Sequence, residues 1–386
     1  MKVVYVIDSL ASKGGAERII SEKMSYMAER FGYDVTVITC YQSFENNPNT
    51  YHLSPEVRQV NLNIPYYSQY SVKYPKRLFV KWSLYKRLGK ELTQAIETID
   101  PDILVSVSYF NADMVSGIRC RAAKVVEAHE SRLFTLQLEG KSLSTVKRLS
   151  TRLYEWWYFR RVEHRAHTVV CLTKGDAKLW YKTRKVEVIP NFSAMPIYRV
   201  SDCNAKRVIA VGRLEWQKGY DMLLKAWAEV ERHHPDWELN IFGSGRLEMK
   251  LKELANSLGL KTITMIPFTP NISEEYAKSS ICVLSSHFEG FSLVLLEAMR
   301  HGVPCVSFDC PYGPSDVLVD GKCGFTVTVG DIQALADKIS LLIENKELRQ
   351  RFSAAALQRA EHFNVDRIML RWKQLFEKLI LKSETS

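Results

Sequence analysis

Twice in its 386 residues this chain runs from a short apolar stretch through a glycine-containing loop into a helix-forming segment. That recurrence restricts the fold more than any other feature of the sequence. Residues 2–7 lead to Gly14-Gly15 and a helical pattern reaching about Arg30; residues 207–211 lead to Gly212, Gly219 and a second helical pattern. Short, solidly apolar runs alternating with helices describe parallel sheets, whose strands are buried on both faces and have no polar side to alternate. Further runs of strand character are residues 34–40, 103–108, 124–128, 168–172, 186–189, 237–242, 262–267, 280–284, 304–308 and 324–327, while 57–62 alternates. The fold class is α/β. Residues 201–206 are polar and carry no apolar period, so the linker between two domains, 1–200 and 201–363, is placed there, with a separate helix in 364–386.

The second half contains the stretch with the most chemistry, Ser285 to Met299. The apolar run before it is a strand, and Leu293, Leu296, Ala298 and Met299 are good helix formers, so Phe291 or Ser292 opens a helix. Glu289 then lies in the strand-to-helix loop beside Gly290, where backbone can approach a ligand closely. Glu297 lies about a turn and a half into the helix. The helix start offers unpaired N–H groups and the positive end of a dipole, which suits an anion. Two carboxylates around an anion site can grip the hydroxyls of a sugar diphosphate; otherwise they are ordinary surface acids flanking a buried helix.

A net charge of +10 calls for an acidic partner, whether nucleic acid, a phosphorylated substrate or an anionic membrane. Eight cysteines show neither CxxC pairs nor metal-ligand spacing, and Cys40, Cys171, Cys282 and Cys305 fall in or beside apolar runs, as reduced buried thiols do. The first strand is too short for a signal-peptide core, and no segment approaches the ~18 apolar residues of a membrane span. The expected location is the cytoplasm, at most against the inner face of the membrane.

Between residues 66 and 90 cations alternate with aromatic residues and no acid interrupts. This is either a solvated helix face, a surface for anionic lipid through residues 73–90, or a nucleic-acid site. The second basic, aromatic stretch, 141–165 with Trp156 to Phe159, reads as a helix packed on its own domain. Asp100-Pro101-Asp102 spells a DxD, but it enters a strand rather than leaving one, the wrong end of an α/β sheet for a ligand. His129 does leave a strand at the ligand end. Gly212-Arg213 to Lys218-Gly219 follows its strand directly, with Arg suited to fork onto phosphate and Lys to act as a point charge. Gly243 ends another strand, where a missing side chain suits either a tight turn or a nucleotide base. The loop 309–316, with two Pro and a Gly, is rigid enough to shape a pocket.

The string Glu-Gly-Phe-Ser-Leu-Val-Leu-Leu-Glu-Ala-Met (289–299) resembles the Glu-x7-Glu motif of retaining glycosyltransferases of family 4, which have the GT-B fold. Gly-Gly-Ala-Glu-Arg (14–18), the His129-Glu130 pair, Gly-Arg-x4-Lys-Gly (212–219) and the Asp-Cys-Pro-x-Gly-Pro-x-Asp loop (309–316) are similar to that family in the same order, the last to members building bacterial surface polysaccharides. The resemblance covers nearly the whole chain and is weakest over 41–90. It implies two Rossmann-like domains facing across a cleft, the first binding acceptor and the second the nucleotide sugar, with the terminal helix returning to the first domain. It implies transfer of a hexose or N-acetylhexosamine, with retention, from a donor expected to be UDP-linked to a glycan or lipid-linked acceptor. Arg213 and Lys218 would neutralise the leaving diphosphate, Glu289 would hold sugar hydroxyls and Glu297 ribose hydroxyls. Amides near Gly290, Phe291, Ser292, Leu293 and Val294 would lie by sugar and phosphate, Gly212 and Gly243 by the donor. Gly14, Gly15 and His129 would act from the first domain. No metal or other cofactor is required, and no nucleic acid is expected. A sugar-nucleotide 2-epimerase on the same fold and a non-catalytic nucleotide or RNA binder remain as alternatives.

Overall fold

A computed structural model describes residues 1–12, 14–42, 47–107, 109–129, 132, 145–180 and 185–384. The chain divides into two compact units, one of Met1–Leu172, Ala177–Ile189 and Ile368–Ser386, the other of Thr173–Asp176 and Pro190–Arg367.

The first unit is built on a parallel sheet of β1 (Lys2–Ile7), β2 (Asp34–Thr39), β3 (Arg58–Asn61), β4 (Ile103–Ser106), β5 (Ala123–Ala128), β6 (Thr168–Cys171) and β7 (Val186–Val188). Their spatial order is β3-β2-β1-β4-β5-β6-β7. Val3 to Ile7 of β1 and all of β4 are buried, as solid apolar runs require, whereas β3, which alternates, is the half-buried edge. Helix α1 (Gly15–Phe31) turns Ile20, Met24 and Met27 inward at helical spacing. Helices α2 (Lys76–Ile99) and α3 (Tyr109–Gly117) share a core in which Leu88, Leu92 and Ile96 meet Val115 and Ile118. Helix α4 (Thr145–Arg165) adds Phe159 and Val162 to a cluster with Ala112 and Trp180.

Two sequence expectations change here. The basic, aromatic stretch is not one helix: Tyr66–Ser71 is a 3-10 segment, and α2 starts at Lys76 after Pro75, which leaves Lys73 outside it. Pro is well placed there because a helix start needs no N–H from it. The aromatic cluster of α4 is divided, with Phe159 in the core while Trp156 and Trp157 stay about half exposed.

The second unit repeats the plan with β8 (Arg207–Val211), β9 (Glu238–Phe242), β10 (Ile263–Ile266), β11 (Ile281–Leu284), β12 (Cys305–Phe308) and β13 (Gly324–Val327), ordered β10-β9-β8-β11-β12-β13. Its longer helices are α5 (Tyr220–His233), α6 (Glu248–Ser257), α7 (Ile272–Ala277), α8 (Leu293–Arg300), α9 (Ile332–Glu344) and α10 (Lys346–Ala360). Tyr220, Leu223, Leu224 and Trp227 form the buried stripe of α5. In this sheet the order reverses between β8 and β11, which pair in parallel through Val208↔Ile281 and Ile209↔Cys282. The crevice outside the carboxyl ends at such a reversal is where open α/β sheets bind ligands.

The unit boundary falls at Pro190, ahead of the linker expected at 201–206. The intervening segment is held by the second unit: Arg300 donates to the Ser193 and Met195 carbonyls, and Ser273 Oγ to Pro196 O at 2.7 Å. The last helix, α11 (Val365–Glu384), joins the first unit from Ile368 onward, and its Trp372 ring lies 4.0 Å from Lys23 Nζ. Asp102 accepts from the Lys2 amide at 2.7 Å, and Asp100 and Asp102 both pair with Arg121 at the strand-entry end. Seven cysteines are buried and Cys120 is half-buried; all eight are free thiols. Among the described residues no helix is long and apolar enough to cross a membrane.

Candidate functional site

Because β8 and β11 are neighbours, the loops that leave them are stitched together. Ser285 Oγ donates to Lys218 O at 2.8 Å, the His287 amide to Gln217 O at 2.8 Å, and Gln217 Nε2 to Phe288 O at 3.1 Å. The glycines make this approach possible. Gly219 is left-handed at φ 58°, and a Cβ there would lie 2.2 Å from Ser285 O. Gly243 lets a third loop pass the first, since its Cβ would lie 1.9 Å from Gly212 O. Gly243 therefore has a structural reason in its own backbone, independent of any base.

The result is a cation and a carboxylate facing each other. Lys218 Nζ lies 2.7 Å from Glu289 Oε1, their side chains 14% and 8% exposed. Ser286 Oγ donates to the same oxygen at 2.6 Å. Both of these bonds fall on Oε1 rather than Oε2. Buried Tyr220 sits beside this pair, its phenol pushed well up by burial and by the Glu289 charge. Arg213 differs from Lys218: it is exposed, with no ion pair among the described residues. The site thus holds one fixed cation and one free to reach.

Helix α8 starts at Leu293, separated from Glu289-Gly290 by two residues. Ser292 is its N-cap residue but makes no capping bond, and its buried hydroxyl has no hydrogen-bond partner among the described residues. That leaves a donor beside the first turn, where the Leu293 amide donates to Phe291 O at 2.9 Å and the Val294 amide has no intrahelical partner. Phe291 turns inward onto Phe363, ring centres 5.9 Å apart, so only its backbone is available to a ligand. The loop after β12 closes on this point: a Cβ on Gly313 would lie 3.0 Å from Ser292 Oγ and 3.1 Å from Glu289 Cβ. Glu297, one face further along α8, is buried and accepts from Tyr276 Oη at 3.2 Å.

In the first unit Gly14 and Gly15 stand where β1 gives way to α1, Gly14 as the N-cap. Ser12 Oγ donates to Glu17 Oε1 at 2.7 Å, and a Cβ on Gly14 would come within 2.1 Å of Glu17 Oε2, so this helix start already carries a carboxylate of its own. His129 follows β5 and is turned inward: Nε2 lies 2.8 Å from Glu127 Oε1. A carboxylate only accepts, so Nε2 is the ring nitrogen that donates to it. Glu127 also pairs with Lys23, and all three side chains are nearly sealed from solvent. Burial acts to raise the Glu127 carboxyl, but Lys23 and His129 outweigh it and hold it at about 2. Glu130, the other member of the expected pair, lies outside the described residues.

Lys23, Glu127, Ser286, Tyr276 and Tyr220 had no role in the sequence reading. Lys23 did leave a trace: it occupies a core position, among Ile19, Ile20, Met24 and Met27 on α1. A lysine there requires a buried acid. Nor does any sequence pattern mark Trp216. It stacks on His287 at 4.3 Å with planes 13° apart, between the two cationic positions in sequence.

The model of the glycosyl transferases group 1 matches residues 200–359, and that of Glycosyltransferase Family 4 matches residues 13–192. Between them they account for both units. The chain is a family 4 glycosyltransferase. The enzyme is 29% identical over 96% of its length, and 99% of the other's, to an uncharacterized glycosyltransferase of Haemophilus influenzae. It is 24% identical, over 98% of its own length and 99% of the relative's, to an alpha-1,4-N-acetyl-D-galactosaminyltransferase of Campylobacter jejuni. That relative's name gives a PP-undecaprenol-linked glycan. In fold, the enzyme matches the Anabaena HepE protein, solved in complex with UDP, with a TM-score of 0.75 at 17% identity, covering 98% of this chain and 100% of that one. Its two parallel-sheet Rossmann-like units are those of the GT-B fold.

Proposed function

We propose that this enzyme transfers a hexose or N-acetylhexosamine, with retention, from a UDP-linked donor to a hydroxyl of a glycan or lipid-linked acceptor in surface-polysaccharide biosynthesis. The observation that carries the reading is the Lys218–Glu289 pair at the β8/β11 reversal, with Arg213 exposed beside it. One cation locked to a carboxylate and one unpaired cation, next to an uncapped helix start, suit a diphosphate attached to a sugar. The UDP complex of HepE and the lipid-linked glycan named for the Campylobacter relative support the donor and acceptor classes.

In this reading Lys218 and Arg213 neutralise the charge that grows on the departing diphosphate, usually the largest contribution to rate. Glu289 Oε2 accepts from a hydroxyl of the transferred sugar, while Lys218 and Ser286 keep the carboxylate oriented. Glu297 serves the ribose, and the backbone of Gly212, Gly243 and residues 290–294 lies along the donor. The acceptor oxygen bonds to the anomeric carbon on the face from which the phosphate oxygen leaves, and the acceptor proton passes to that oxygen. No metal enters this scheme. The first unit, with Gly14, Gly15 and His129, serves the acceptor side, and a lipid-linked acceptor would bring residues 73–90 to an anionic membrane surface at the cytoplasmic face.

The test is a thermal-shift screen against UDP-, GDP- and ADP-sugars. A true donor at ~100 times its dissociation constant adds ~2.7 kcal/mol of stability. Stabilisation by none of them, or by GDP- or ADP-sugars alone, overturns the donor assignment; conversion of the nucleotide sugar to its C2 epimer without acceptor would make this a 2-epimerase.

A further inference from the structure

Helices α2 and α4 both leave apolar side chains outside the core of the first unit. On α2, Leu78, Phe79 and Trp82 are more than half exposed, and on α4 Leu149, Leu153 and Tyr154 are about 60% exposed. A helix serving only its own sheet carries polar residues on that side. The two helices lie over the same third one. A Cβ on Gly89 of α2 would touch Met114 of α3 at 3.8 Å, and Arg161 and Arg165 of α4 pair with Asp113 of α3 at 3.1 and 2.7 Å. Between them Tyr85 of α2 is half-exposed, its phenol raised by burial first and then by the charges of Asp113 and Tyr154.

Cations frame these rings. Lys86 Nζ sits 3.8 Å over Trp82, Arg160 5.4 Å over Trp156 and Arg161 4.5 Å over Trp157. Glu91, the first acid after residue 73, is paired with Arg87 at 2.7 Å.

We propose that α2 and α4 together form one docking face for the headgroup region of an anionic membrane. Trp and Tyr favour that depth, aliphatic side chains reach below it, and the cations meet the lipid charge. The aliphatic members argue against a single-stranded nucleic acid, which uses flat rings for stacking. The like charge of the face argues against a second copy of the chain. The proposal rests on the transferase reading only for its purpose, the approach to a lipid-linked acceptor; docking itself needs no turnover.

The experiment is co-sedimentation of the full chain with phosphatidylcholine vesicles, with and without phosphatidylglycerol, at low and high salt. Binding is expected only with the anionic lipid and is lost at high salt. The pairs Phe79→Gln/Trp82→Gln on α2 and Leu153→Gln/Tyr154→Gln on α4 should each lower partition roughly tenfold or more. Lys81→Gln/Arg152→Gln, at exposed cations on α2 and α4, should lower it comparably and flatten the salt dependence, each cation being worth roughly fivefold. Circular dichroism checks folding, and the UDP-induced thermal shift should be unchanged in every variant. Normal binding by the α4 pair overturns the shared face, and equal binding to neutral vesicles overturns the charge argument. Self-association, or preference for RNA over vesicles, that the same substitutions abolish assigns the face elsewhere. Loss of the UDP shift in the wild type would overturn the donor reading and leave docking to be judged on the vesicles.

Discussion

The different settings of Arg213 and Lys218 predict two mutants equal in catalysis and unequal in stability. Each cation is assigned to the leaving diphosphate, so Arg213→Ala and Lys218→Ala should each cost roughly 2.7–4 kcal/mol of transition-state stabilisation, about 10²–10³ in kcat. Stability separates them. Arg213 is exposed and without an ion pair among the described residues, so its loss should stay within about 0.5 kcal/mol. Lys218 is the charged partner of Glu289, itself only 8% exposed. Removing it strands a carboxylate that keeps the Ser286 hydroxyl as donor, 2.6 Å away. Breaking a fully buried pair costs roughly 3–5 kcal/mol, whereas leaving one buried polar group short of a partner costs about 1–3 kcal/mol. The remaining donor and the 14% exposure of Lys218 put this case in the lower range. Urea unfolding measures the stability, and UDP release with a responsive donor measures turnover. The double variant Lys218→Met/Glu289→Gln should recover most of the lost stability and none of the turnover. Lys218→Ala as stable as wild type would refute the coupling, and near-normal turnover in either folded single mutant would refute the phosphate assignment.

The Lys23–Glu127–His129 cluster predicts that Lys23→Met costs about 3–5 kcal/mol, much of it regained in Lys23→Met/Glu127→Leu, as denaturant unfolding would report. With Glu127 held at about 2, below its ordinary 4.5, its contribution is complete above pH ~4.5 and is lost as pH falls through about 2. An acid titration of stability in Glu127→Gln should lack that loss, and an unchanged acid limb would count against the pair. Glu297→Gln should weaken UDP binding, while Glu289→Gln should mainly lower turnover; calorimetry with UDP beside turnover assays decides, and a selective loss of UDP affinity in Glu289→Gln would exchange their roles.

Much of this molecule is legible residue by residue. The strands are legible because burial on both faces demands unbroken apolar runs, and Val3 to Ile7 and Ile281 to Leu284 are such runs. Loop positions follow from glycines that the backbone cannot do without, as Gly219 shows, and Ser292 opens α8 where helix-forming residues begin. The ends of elements were less clear where a proline or a polar segment could serve either neighbour: Pro75 cut α2 off from Lys73, and 190–200 went with the second unit because Arg300 and Ser273 hold its carbonyls.

The sequence alone determined the α/β plan, its repetition, and which loops carry cations and carboxylates, because each depends on interactions within a few residues. Tertiary structure alone decided which of those loops meet. Lys218 and Glu289 are 71 positions apart and touch only because β8 pairs with β11 rather than with the strand that follows Glu289. Lys23 and Glu127, 104 positions apart, are joined because the fold brings the Lys23 side chain of α1 to the Glu127 carboxylate of β5 and no solvent is left to serve either charge. Periodicity reports whether a side chain is buried. It carries no information about which distant group shares the burial, and for a charged side chain in a core that partner sets the energy.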